Sequence, residues 1–183
     1  MNRRIGVIAG AFNPVTIAHT GLAEAALARV DEIVFAIPRT FPHKEFEGAS
    51  LEHRLEMVRA CGYRVETTEG GLYVEIASEI QAANPSSDIY VACGRDAAER
   101  ILNWNYDSPE ALARMFQEFR LLVAHRGGAY QAPEHLRDRI QAIDLAEHLD
   151  QVSSSEVRRR IAAGERWEHL VPKAIVEMVR RIY

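Results

Sequence analysis

Ile5-Gly6-Val7-Ile8-Ala9, an unbroken apolar run, leads directly into Gly10-Ala11-Phe12-Asn13-Pro14-Val15-Thr16-Ile17-Ala18-His19. Arg4–Ala9 reads as a buried strand. The chain then turns at a glycine and an Asn-Pro pair, and it reaches a histidine at the start of an alanine-rich helix. A strand-turn-helix of this kind gathers backbone N–H groups and an imidazole at one helix N-terminus. The helix dipole makes that point favourable for a phosphate.

Strands and helices alternate from there on. A helix is expected over about Ala18–Arg29 and a strand over Glu32–Pro38, whose Ile33-Val34-Phe35-Ala36-Ile37 is apolar without alternation. Such a strand is covered on both faces, as in a parallel sheet flanked by helices. Further helices are expected at Ser50–Cys61, Tyr73–Ala83, Asp96–Asn103, Pro109–Phe116, Pro133–Gln141, Ser154–Ala163 and Pro172–Arg180. Further strands are expected at Arg64–Thr67, Asp88–Cys93, Arg120–His125 and Ala142–Leu145. This order predicts an α/β chain with one doubly wound parallel sheet in a single domain, 1–183. The ligand site is expected where Gly10 and Gly94 end the first and fourth strands.

The composition suits that architecture. Of 183 residues, 48% are hydrophobic and 26% charged, the balance of a globular enzyme with a full core. The net charge of −4 gives no general reason to expect nucleic acid or an anionic membrane, so any anion site is a local one. The N-terminal apolar run is too short for a signal or a span, and Cys61 and Cys93 show no metal or redox spacing. A cytoplasmic protein is expected. There is no G-x-x-x-x-G-K-[ST] phosphate loop, no paired-histidine zinc pattern and no G-x-S-x-G nucleophile.

A second block stands near the other end, Val152-Ser153-Ser154-Ser155-Glu156-Val157-Arg158. By itself Ser153-x-x-Glu156 is a capping box, and Arg158-Arg159-Arg160 could be a solvated face. On a helix, however, Ser154 and Arg158 share one face while Val157 and Ile161 share another. Successive arginines diverge by about 100° and cannot all reach one ligand.

Together these blocks resemble the nucleotidylyltransferase superfamily, whose motifs are G-x-F-[D/N]-P-x-[H/T]-x-G-H and I-S-S-T-x-I-R. Ala18 departs from the motif glycine, as it does in the eukaryotic type of nicotinamide-mononucleotide adenylyltransferase, within a similar string. The resemblance implies a Rossmann-like fold and transfer of AMP from ATP to nicotinamide or nicotinate mononucleotide, releasing pyrophosphate. It implies that His19 and Thr16 attend the α-phosphate beside the backbone of Gly10, Ala11 and Phe12, and that Ser153, Ser154 and Arg158 bind the other ATP phosphates.

Three further matches are carried by the same resemblance. Pro42-His43-Lys44 is similar to a loop of the bacterial nicotinate-mononucleotide enzymes, where the lysine faces substrate phosphate; alone, it would be an ordinary loop. Gly94-Arg95-Asp96 is similar to the family's G-x-D, whose aspartate contacts the ATP ribose; alone, Asp96 would be a helix cap. Trp104 resembles the tryptophan that packs on the pyridine ring, against a plain core tryptophan. Arg54 fits a substrate-side arginine position or a surface residue, and Tyr73 could supply a second aromatic. Mg²⁺ is expected on the ATP phosphates, since no carboxylate cluster appears. Other acceptors, phosphopantetheine above all, and a non-catalytic nucleotide sensor stay open, as does a homo-oligomer.

Overall fold

The computed structural model describes residues 2–40, 48–103, 111–125, 130–149 and 151–183. Lys44, with Pro42 and His43, and Trp104 lie outside the described residues.

The strands are β1 (Arg3–Ala9), β2 (Glu32–Pro38), β3 (Arg64–Thr68), β4 (Ser87–Gly94), β5 (Phe119–His125) and β6 (Ile140–Asp144). All pair in parallel, in the order β3-β2-β1-β4-β5-β6. The α-helices are α1 (Ile17–Ala26), α2 (Leu51–Ala60), α3 (Tyr73–Ala83), α4 (Arg95–Asn103), α5 (Ala111–Glu118), α6 (Ser154–Ala162) and α7 (Val176–Ile182).

The expected absence of alternation in the strands has a plain cause here. Ile33, Phe35 and Ile37 of β2 face one core, with Leu22, Ala26, Val58, Val157 and Val179. Val34 and Ala36 face a second core, with Ile76, Ile80, Ala98 and Ile101. Helices α1, α2, α6 and α7 therefore cover one face, and α3, α4 and α5 the other. Both faces exclude water at the middle of the sheet, so successive positions of the central strands favour apolar residues.

The strand order reverses between β1 and β4, where Val7 lies opposite Val91. Carried three residues on, the same register puts Gly10 level with Gly94 at the C-terminal edge. This is the switch point at which an open α/β sheet offers a crevice.

Three expectations need correction. The helix expected over Pro133–Gln141 is a single 3₁₀ turn, Glu134–Leu136, followed by β6. Helix-favouring residues lose here to the open edge of β5, which Ile140–Asp144 covers from Leu121↔Ile140 to His125↔Asp144. The last strand thus begins two residues before Ala142 and stops one short of Leu145. The helix expected over Pro172–Arg180 divides into a 3₁₀ turn, Lys173–Ile175, and α7.

Candidate active site

The turn between β1 and α1 is held by side chains from distant elements. Arg54 of α2 donates from Nη1 to the carbonyl of Ala11 at 3.2 Å. Arg158 of α6 donates from Nη1 to the carbonyl of Asn13 at 2.5 Å. Ser154 of the same helix donates from Oγ to the carbonyl of Pro14 at 2.7 Å. Two blocks separated by about 140 residues of sequence thus meet at the adjacent carbonyls of Asn13 and Pro14.

This meeting also orients helices. α6 starts at Ser154, with Ser153 as its cap accepting from Glu156 N–H at 3.2 Å. α1 starts three residues after Pro14, and α4 starts directly after Gly94 on the neighbouring strand. The first N–H groups of a helix have no carbonyl partner within it. The N-termini of α1 and α6 are brought together at the turn, which concentrates positive potential there.

His19 sits in the first turn of α1. Its Nδ1 accepts the main-chain N–H of Thr16 at 3.0 Å, and Thr16 Oγ1 lies at the same distance. The imidazole replaces the Glu or Gln that usually completes a capping box. An Nδ1 that accepts an amide N–H carries no proton, so the ring is neutral and Nε2 bears its hydrogen. Burial pushes the His19 pKa down to about 4, which keeps it neutral at pH 7. Phe12, itself 2% exposed and at a positive φ of 48°, packs edge-on against the ring at 5.1 Å. The site therefore presents a fixed, uncharged donor.

Gly94 leaves room beside it. A Cβ built there meets no described atom within 4 Å, and no left-handed backbone angle demands glycine. Asp96, two residues on, is exposed in the first turn of α4. At the same edge a side chain on Gly10 would press on the Phe12 ring at 3.1 Å.

Arg54 is not a surface residue; it is 7% exposed, and burial pulls its guanidinium below its ordinary value. Tyr73 sits in the other layer at the start of α3, near Cys93 and Arg100, its phenol pushed up to about 12 by burial. The arginine run divides as helix geometry requires. Arg158 turns to Asn13, while Arg159 pairs with Glu156 and Glu165 and Arg160 with Glu156.

Sequence reasoning missed the Asn13 side chain. It is 4% exposed, and its Oδ1 accepts from Ala49 N–H at 3.0 Å and from the Tyr183 hydroxyl. Nothing in the local sequence marks either partner, because both are distant along the chain. Among the described residues no group of three His, Cys, Asp or Glu side chains could hold a metal ion. No described helix is long and apolar enough to cross a membrane.

The family model described as Cytidylyltransferase-like matches residues 7–160. A protein of Salinibacter ruber is 29% identical, covering 93% of this chain and 92% of its own length. One of Citrifermentans bemidjiense is also 29% identical, covering 98% of each. Both carry the name "Probable nicotinate-nucleotide adenylyltransferase". Among solved structures, the Plasmodium falciparum nicotinic acid mononucleotide adenylyltransferase complexed with NaAD superposes with a TM-score of 0.73. It does so at 17% identity, over 98% of this chain and 96% of its own. The shared fold and the family-model match across most of the chain have one consequence: the chain belongs to the cytidylyltransferase-like family.

Proposed function

We propose that this protein transfers AMP from ATP to a pyridine mononucleotide, nicotinate mononucleotide in the first place, and releases pyrophosphate. The observation that carries the reading is the convergence at Asn13–Pro14. Two helix N-termini, the neutral donor His19 and the guanidinium of Arg158 come together there, beside the open edge at Gly94. The names of the Salinibacter and Citrifermentans relatives support the pyridine acceptor, as does the resemblance carried by Lys44 and Trp104.

The chemistry needs little from the protein beyond placement. A phosphate oxygen of the mononucleotide, ionised at neutral pH, attacks the α-phosphorus of ATP. The bond from that phosphorus to the bridging oxygen breaks, and pyrophosphate leaves with the electron pair. No general base is required, so the rate comes from alignment and from neutralising charge. His19 donates from Nε2–H to a non-bridging α-phosphate oxygen. Thr16 keeps the ring in the tautomer that can do so, and the main chain of Gly10, Ala11 and Phe12 lines the approach.

Arg158, with Ser153 at the α6 cap, takes the β- and γ-phosphates. Ser154 contributes by holding Pro14. Asp96 meets the ribose, Lys44 the acceptor phosphate and Trp104 the pyridine ring. Arg54 acts on the substrate side by fixing the Ala11 carbonyl and so the peptide that follows. Mg²⁺ fits as a partner of the phosphate oxygens, where it would offset their charge, since the described residues offer it no cage. We place the reaction in the cytoplasm, in keeping with the free Cys61 and Cys93.

Pyrophosphate release with Mg²⁺, ATP and each acceptor in turn tests the proposal. Turnover is expected with nicotinate or nicotinamide mononucleotide. Turnover with phosphopantetheine alone would move the protein to another acceptor, and ATP binding without turnover on any acceptor would make it a sensor.

A further inference from the structure

Asn13 is the point at which three separate parts of the chain are tied to the phosphate turn. Its side-chain Oδ1 receives Ala49 N–H, one residue before the Ser50 cap of α2, and the hydroxyl of Tyr183, which follows α7. Its main-chain carbonyl receives Arg158 of α6. The approach on the α2 side is close. Gly48 stands at a φ of +120°, and a Cβ there would lie 2.8 Å from both terminal atoms of the Asn13 amide. The backbone of Gly48–Ala49 is therefore pressed onto the amide, with no space for any side chain at Gly48.

Tyr183 is the second partner of that amide oxygen, and its hydroxyl also lies against the Ala49 main-chain N–H. Its main-chain N–H closes on Val179 O at 3.0 Å, so the residue is fixed by the end of α7 and not by the turn it serves. Val179 is fully buried, which anchors that helix to the core. Burial pushes the Tyr183 phenol up to about 12, although the nearby Arg158 and Arg54 pull the other way. The group is an O–H donor throughout the physiological range. Removing it takes a donor from Oδ1 and leaves that oxygen held by Ala49 N–H without the tie to α7. The main chain of Asn13, gripped by Arg158, and Thr16 three residues on would then lose one of the contacts that tie the turn to α7.

We infer that Tyr183 is a positioning residue for adenylyl transfer, fixing the Asn13 amide so that the turn carrying Thr16 and His19 keeps the spacing the reaction needs. The inference rests on the function proposed above. Its test is Tyr183→Phe, which removes a single oxygen and keeps the ring in place. Turnover with ATP and nicotinate mononucleotide should fall about ten-fold in kcat, the worth of one lost hydrogen bond. KM for each substrate should move less than about three-fold, because the binding groups remain.

A second readout does not depend on turnover. The ¹⁵N signals of the His19 ring and the side-chain amide of Asn13 should both shift in the variant, while the melting temperature falls by only about 3 °C. An unchanged kcat with unmoved His19 signals would overturn the inference. A loss confined to KM would overturn it too, as would a variant unfolded at the assay temperature, because the hydroxyl would then serve the fold and not the turn. If the wild-type protein turns over no acceptor, the proposed function fails, and the His19 and Asn13 signals still decide whether Tyr183 sets the turn.

Discussion

The main-chain N–H of Thr16 donates to Nδ1 of His19 at 3.0 Å, and this one bond settles which ring nitrogen is left to donate. It leaves Nε2 as the protonated nitrogen and the ring as a neutral donor. Nitrogen-resolved NMR should show the Nε2–H tautomer at pH 7, with titration near pH 4 and not near 6.5. A ring that titrates near 6.5 would mean that the Thr16 bond does not form.

The same shift has a sign for stability. In the unfolded chain His19 takes up a proton near pH 6.5, and in the folded chain only near 4. Above 6.5 both states are neutral, and His19 adds no pH dependence. As pH falls from 6.5 to 4 the unfolded state binds the extra proton, so stability is lost across that window. Denaturant unfolding of wild type and His19→Asn at several pH values should show a shallower slope in the variant. Identical slopes would contradict the assignment.

His19→Ala should lower kcat by about 10²–10³-fold while ATP binds within about three-fold of wild type, because the contact strengthens only as charge builds at the α-phosphorus. Rapid kinetics together with direct ATP titration checks both halves. A folded variant with full activity would remove His19 from the mechanism.

Arg158 and Arg159 are adjacent in sequence and opposite in role. Arg158→Ala removes the hold on the Asn13 carbonyl and a charged donor toward ATP, which should cost about 2–3 kcal/mol in kcat/KM for ATP. Arg159 is committed to exposed ion pairs with Glu156 and Glu165. Its alanine variant should change kcat/KM by less than about two-fold. Equal losses would mean that the run acts as a diffuse basic patch.

Gly94→Val tests the space at the sheet edge. The described residues leave that space open, so the variant should melt within about 3 °C of wild type. Its KM for ATP should rise about ten-fold or more, because the added methyls occupy the nucleotide's path. A strong loss of stability with normal ATP use would place the nucleotide elsewhere.

Much of this arrangement is legible in the sequence. The run Ile5–Ala9, the turn Gly10–Pro14 and the histidine at position 19 give strand, turn and helix in order. Two-sided burial of Ile33–Ile37 announces the parallel sheet. The spacing of Ser154, Val157 and Arg158 foretells which arginine turns inward. What is hidden depends on partners far along the chain. Arg54 gives no local sign that it is buried against Ala11, and Tyr183, just past Arg180 and Arg181 of α7, gives none that it reaches the Asn13 amide. Ile140 sits in helix-favouring sequence and becomes strand only because β5 has an edge to cover.

The most direct measurement follows the label from ATP carrying ³²P in its α-phosphate, incubated with Mg²⁺ and nicotinate mononucleotide. The label should appear in nicotinate adenine dinucleotide, with one unlabelled pyrophosphate released per dinucleotide formed. Label recovered only in ADP or in unreacted ATP, with no dinucleotide from either pyridine mononucleotide, would contradict the proposed transfer.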